Sequence, residues 1–106
     1  MNSLYENKTI FYKVNKLNIK GLSKAVFFDR DGVINEDFHY IREPNKVKLC
    51  KGARELIREI YSKNIPIVII TNQSGISKKY LTWNDYKLVT ERIIQDLGRP
   101  NPIAAI

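Results

Sequence analysis

The order of apolar and amphipathic segments predicts an α/β fold with an open, parallel sheet. Three observations lead there. Two runs, AVFFD (25–29) and IPIVIIT (65–71), are almost continuously apolar, as strands buried on both faces of a parallel sheet are. Between them, Ala53, Leu56, Ile57, Ile60 and Tyr61 recur at helical spacing. A second amphipathic stretch follows the second run and stops just before another apolar segment, NPIAAI.

Residues 1–24 alternate weakly, as in TIFYKVNKLNIK. They read as an edge strand, a hairpin, or an extension of unknown role ahead of a domain at 25–106. AVFFD is the first core strand. Residues 30–51, with Gly32 and Pro44, form a long irregular connection of the kind that is often functional. The first helix opens near Ala53 and ends at Asn64, with Pro66 just beyond. IPIVIIT is the second strand, and Asn72 to Leu81 a loop. Thr82, with Asp85 three residues on, is a capping box for the second helix. Its inner face is Tyr86, Val89, Ile93 and Leu97, and Gly98 and Pro100 stop it. NPIAAI starts a third strand. Such a sheet is unfinished, so the chain reads as the N-terminal portion of a larger domain. No internal repeat is present.

The chain has 106 residues, the scale of one small domain. Its longest fully apolar runs, Ile67–Ile70 among them, are four residues, against about 20 residues for a membrane helix. The N-terminus has no apolar signal region. The expectation is a cytoplasmic protein without a membrane partner. The single cysteine, Cys50, excludes an intrachain disulfide and a cysteine zinc cluster. It reads as a half-buried thiol in a reducing compartment. Of the net charge of +7, +4 falls in residues 1–24, with five lysines and one glutamate. No basic stripe interleaved with aromatics follows. A lysine-biased, solvated surface is therefore expected rather than a nucleic-acid partner. Binding through the basic leader is the alternative, recognisable by a steep salt dependence.

The chemistry concentrates where AVFFD ends. In open α/β sheets, ligands bind beyond the carboxyl ends of the strands. Asp29 and Asp31 stand at one such end, and Thr71-Asn72-Gln73-Ser74 at the other. Two close carboxylates need a cation between them or a shared proton. Mg²⁺ suits them, being content with one or two carboxylates plus phosphate and water. A carboxylate so placed can attack phosphorus, while the second protonates the leaving oxygen and later activates water. Gly32 allows a sharp turn there. Thr71 offers a hydroxyl, and nearby backbone N–H groups can cradle phosphate. A calcium loop does not fit, because its first and twelfth positions would be Phe27 and Phe38. Taken alone, the pair also fits a solvated turn.

FFDRDGVIN resembles the first motif of the haloacid dehalogenase superfamily of aspartate-nucleophile phosphatases, and VIITNQSGI its second. The resemblance covers residues 25–106 and implies a Rossmann-like sheet of the haloacid dehalogenase fold. DRDGVINED..Y, KGARELI and TNQSGISKKYLT narrow it to the D-glycero-D-manno-heptose 1,7-bisphosphate 7-phosphatase family. Histidinol-phosphate phosphatases share the first motif but usually have an acid where this chain has Ser74. Polynucleotide 3′-phosphatases are a more distant likeness. The implied activity is hydrolysis of the 7-phosphate of heptose bisphosphate, a small phosphorylated sugar, in cell-surface polysaccharide synthesis. Histidinol phosphate or another small ester is the alternative substrate.

By the same resemblance, Asp29 is nucleophile and Mg²⁺ ligand. Asp31 is the general acid/base, with its backbone carbonyl on the metal. Arg30 approaches phosphate through its backbone, and Asp37 and Tyr40 contact substrate. Thr71 binds the transferring phosphate, and Asn72, Gln73 and Ser74 line the pocket. His39 replaces the family's usual glycine before the tyrosine and is expected to be a solvated loop residue. A lysine, a later metal-binding acid and a Cys/His Zn²⁺ loop are implied downstream of Ile106. The chain as given is therefore expected to be nearly inactive. A non-catalytic module that binds phosphate ligands or partners is the reading from another class. Trp83 is expected to pack at its helix start, and Lys78 and Lys79 to be solvated.

Overall fold

The computed structural model describes residues 2–4, 11–13 and 24–106. Five strands, β1 (Asn2–Leu4), β2 (Phe11–Lys13), β3 (Val26–Asp29), β4 (Ile67–Ile70) and β5 (Ile103–Ala105), form one sheet in the order β1-β2-β5-β4-β3. β3, β4 and β5 run parallel, as the sequence predicts. β1 and β2 pair antiparallel, and β2 meets β5 with Lys13 opposite Ala105. β1 lies at the sheet edge, and β2 between it and β5. The other leader residues up to 23 lie outside the described residues.

The helices are α1 (Ala53–Ser62), α2 (Ser74–Ser77) and α3 (Trp83–Asp96). Both crossovers, β3-α1-β4 and β4-α3-β5, step the same way across the sheet. Right-handed connection then places α1 and α3 on one face. Burial agrees. Ile67 and Ile69 on β4 are fully buried, whereas Phe27 is 60% and Ile70 53% exposed on the opposite face. The apolar runs were expected to be covered on both faces; the described residues cover one. The reason is that no described helix packs on the second face.

α3 buries Tyr86, Val89 and Ile93 of the predicted inner face, together with Thr90, and Leu97 is buried just past its end. Its start is the predicted capping box. The Asp85 N–H donates to Thr82 Oγ1 (3.0 Å) and the Thr82 N–H to Asp85 Oδ2 (2.9 Å). Trp83 packs partly buried against the core, edge-on to Tyr86 at 6.0 Å. On α1, Ile57 is buried, but Leu56 is 48% exposed. It lies at the margin of the apolar stripe, in a cleft beside Phe28 and Val33. Asn64 takes a left-handed φ of 57° and closes the turn after α1. Cys50 is half-buried with a free thiol, as expected.

The segment expected to be an uninterrupted loop, 72–81, contains the single helical turn α2. The Ile76 N–H donates to the Gln73 carbonyl and the Lys78 N–H to the Ser74 carbonyl, at 3.1 Å each. One turn carries no helical period, so the sequence pattern could not show it.

The one-faced burial has a measurable consequence. Ile69→Ala should lower unfolding free energy by about 2–5 kcal/mol, and Ile70→Ala by less than about 1 kcal/mol. Urea denaturation of both variants checks this, and equal losses would contradict it.

Candidate active site

β3 and β4 pair in the register that sets Asp29 opposite Ile70. Asp29 ends its strand, and Thr71 is the first residue past the end of the neighbouring one. After β3 the chain folds back on itself. The Ile34 and Asn35 N–H groups donate to the Arg30 carbonyl (2.9 and 3.1 Å), and the Gly32 N–H to the Asn35 carbonyl (2.7 Å). Gly32 has φ 86°, a left-handed value that glycine adopts without a Cβ penalty.

This turn and the segment after β4 meet at the Asp31 carboxylate. Arg30 grips it with two bonds, Nε to Oδ1 (3.1 Å) and Nη2 to Oδ2 (3.0 Å). Asn35 Nδ2 donates to Oδ1 at 2.9 Å, and Gln73 Nε2 to Oδ2 at 2.7 Å. Gln73 Nε2 also reaches Thr71 Oγ1 at 2.6 Å. A single amide thus joins the two segments that the sequence placed at one crevice. Burial of the Asp31 carboxyl opposes its ionisation. The Arg30 charge and the hydrogen bonds from Arg30, Asn35 and Gln73 outweigh that burial, and hold its pKa below the usual carboxylate range. The Asp29 carboxylate is exposed and has no hydrogen-bond or ion-pair partner among the described residues.

Arg30 itself is 1% exposed. Its Nη1 donates to Thr90 Oγ1 at 3.0 Å, and its guanidinium lies over the Tyr86 ring at 5.4 Å. Its side chain is therefore turned into the core.

The loop carrying Asp37 and Tyr40 docks on α2. His39 (φ 46°) and Tyr40 (φ 56°) are both left-handed. His39 thus keeps the backbone shape that the usual glycine would favour, with its N–H donating to Asp37 Oδ1 at 3.0 Å. Its side chain is exposed, as expected. Tyr40 packs against Tyr80 with ring centroids 4.8 Å apart. Lys78 Nζ lies 3.4 Å from the Tyr40 hydroxyl, so this lysine is exposed but engaged. A Cβ on Gly75 would stand 2.5 Å from Tyr40 Cδ1 and 2.8 Å from Leu81 Cδ2. Only glycine admits so close an approach without displacing those side chains.

Thr71, Asn72, Gln73 and Ser74 also line a cleft of about 810 Å³ at the end of β4, bounded by Trp83 and Ile106. Asp29 and Asp31 do not line it; Thr71 and Gln73 are shared between cleft and carboxylate cluster. Two residues escaped the sequence reading. Asn35 is fully buried, and its place in the DGVIN string was the available signal. Thr90 is 2% exposed, and gave no signal beyond a hydroxyl on an apolar helix face.

Among the described residues no group of three or more His, Cys, Asp or Glu is placed to hold a metal. The Asp31 side chain is committed to its four hydrogen bonds. The free Asp29 carboxylate and the Asp31 carbonyl, which accepts no backbone hydrogen bond among the described residues, are the oxygens on offer. That set suits Mg²⁺, which takes its remaining positions from water and phosphate.

No protein-family model matches the chain. The D-glycero-beta-D-manno-heptose-1,7-bisphosphate 7-phosphatase of Helicobacter pylori (strain ATCC 700392 / 26695) is 37% identical over 75 residues, 71% of this chain and 43% of that one. A chain from Mesorhizobium loti described as a HAD-like phosphatase superposes with a TM-score of 0.77 at 31% identity, over 82% of this chain and 42% of that one. In sequence and fold the chain is thus similar to HAD-like phosphatases. The Campylobacter jejuni relative, named for the alpha anomer, is 35% identical over 77 residues, 73% of this chain and 45% of that one. The D,D-heptose 1,7-bisphosphate phosphatase of B. bronchiseptica, complexed with magnesium and phosphate, shares the fold at a TM-score of 0.66 and 24% identity, covering 71% of this chain and 42% of that one. The chain spans less than half the length of the relatives it matches.

The clamp on Asp31 ties stability to pH. A carboxyl whose folded pKa is depressed adds stability above its unfolded pKa, which is lost as pH falls through the folded value. Between neutral pH and about 4, that contribution should be flat; below, it should decline. Thermal unfolding of the wild type and Asp31→Asn from pH 7 to pH 2.5 checks this. The difference between them should shrink only in the acid range, and a gap constant with pH would contradict it.

Proposed function

We propose that the chain carries the nucleophile and phosphate-binding half of a Mg²⁺-dependent phosphomonoesterase. Its substrate on this reading is D-glycero-D-manno-heptose 1,7-bisphosphate, cleaved at the 7-phosphate. The observation that carries this is the Gln73 amide, shared by the Asp31 carboxylate and the Thr71 hydroxyl beside the free Asp29 carboxylate. The names of the relatives supply the substrate.

The chemistry follows from those positions. An Asp29 oxygen attacks phosphorus, forming an aspartyl-phosphate as the bond to the sugar oxygen breaks. Asp31 gives that oxygen a proton and later takes one from the water that cleaves the acyl-phosphate, releasing inorganic phosphate. The clamp keeps Asp31 ionised in the free chain, so the proton it gives is first taken up from solvent or from the phosphate itself as the negatively charged ester binds. The Thr71 hydroxyl donates to a phosphate oxygen, and the backbone beside Arg30 offers N–H groups. Mg²⁺, when bound, neutralises charge on the phosphate and on Asp29. Asn72 and Ser74 line the cleft for the rest of the substrate, with Asp37 and Tyr40 contacting it from the loop docked on α2. No lysine and no third acid join Asp29 and Asp31 among the described residues. The chain by itself is therefore expected to turn over poorly. Among the described residues no helix is long and apolar enough to cross a membrane.

A chimera tests the reading. Residues 25–106 replace the matching segment of the H. pylori relative, and turnover of heptose bisphosphate and histidinol phosphate is compared. The expected result is Mg²⁺-dependent activity on the sugar bisphosphate, reduced at least about 10³-fold by Asp29→Asn. Activity indifferent to that change would refute the mechanism, and preference for histidinol phosphate would refute the substrate.

A further inference from the structure

We propose that Thr90, on α3, is a positioning residue for the general acid/base, acting through the buried Arg30 side chain. This rests on the phosphatase reading for its meaning. The placement itself rests on contacts.

A buried guanidinium is costly unless its donors are paired. Arg30 is 1% exposed, and its ion-pair partner, Asp31, is the next residue in the chain. The pair is bidentate, which fixes the plane of the carboxylate relative to that of the guanidinium. Adjacent residues on one loop cannot anchor each other in the molecule, because the two can move as a unit. The anchor lies 60 residues away. Thr90 Oγ1 accepts from Arg30 Nη1 at 3.0 Å, and Tyr86, one helical turn earlier on α3, lies under the guanidinium at 5.4 Å.

α3 is a rigid base for this. It is closed by a capping box and seats Val89, Thr90 and Ile93 in the core. Thr90 and Tyr86 therefore set where the guanidinium lies, and the guanidinium sets which way the Asp31 oxygens face. Asn35 and Gln73 then hold the remaining lone pairs of the carboxylate. An arginine spent on binding phosphate would point outward; this one donates twice to the adjacent carboxylate and once to Thr90 in the core. Small errors in the aim of a proton donor are costly in rate, so a residue outside the cleft takes part in orienting the reacting group.

The test uses the 106-residue chain and needs no turnover. Arginine side-chain ¹⁵N–¹H and aspartate carboxyl ¹³C signals are recorded at pH 7 for wild type, Thr90→Val and Thr90→Ser. In the wild type, the Arg30 Nε–H should exchange with water far more slowly than that of exposed Arg42. In T90V it should exchange about tenfold faster, and the Asp31 ¹³Cγ signal should shift. T90S, which keeps the hydroxyl, should restore both. A melting temperature lowered in T90V with an unmoved Asp31 signal would reduce Thr90 to a packing role and overturn the proposal. So would a wild-type Arg30 Nε–H exchanging as fast as that of Arg42, a result that stands even if T90V does not fold. The D29N chimera judges the phosphatase reading separately.

Discussion

Parallel pairing of β3 with β4, in one register, is the constraint on which the site depends. Asp29 lies opposite Ile70, so the last residue of one strand and the first residue past the other emerge together. Side chains alternate along a strand, so a one-residue slip would move Phe28 and Ile69 off the buried face. The core sets the register, and the register sets the distance between the two motifs. Apolar packing therefore does the positioning, and the polar residues beyond the strand ends inherit it.

The polar half of the site is built around one carboxylate. Asp31 receives four hydrogen bonds from Arg30, Asn35 and Gln73, whereas Asp29 is left free. Two acids two residues apart thus have opposite environments. On the proposed mechanism the held one handles the proton and the free one attacks. Differences of this kind let neighbouring carboxylates divide their roles. Among the described residues, Asn35 Oδ1 is the one buried side-chain atom without a partner. It marks the back of the turn as polar but incompletely satisfied.

Much of the fold was legible in the sequence because its signals are local and periodic. The runs around Phe28 and Ile69 marked strands, the spacing of Tyr86, Val89, Ile93 and Leu97 marked α3, and Thr82 with Asp85 marked its start. Burial on both faces was misjudged, since an apolar run reports what a strand can tolerate rather than what covers it; Ile70 is left exposed. α2 was invisible because one turn has no period. At the site, Asp29, Asp31, Thr71 and Gln73 were found through strand ends and motif likeness. Thr90 was not, because its partner is distant in sequence and its hydroxyl sits on an otherwise apolar face. The docking of Tyr40 on Gly75 was likewise hidden, being a contact between a loop and a single helical turn. The resemblance brought both loops to one site, but not their manner of contact.

The central claim is that the ends of β3 and β4 form one cation- and phosphate-binding locus. Titrating Mn²⁺ into the chain with inorganic phosphate present, and following paramagnetic broadening of backbone amide signals, measures it most directly. The account predicts broadening centred on residues 29–32 and 71–74, with Val26 and Ile67 at the opposite strand ends unaffected. Broadening that spares either of those two segments, or that centres elsewhere, would contradict it.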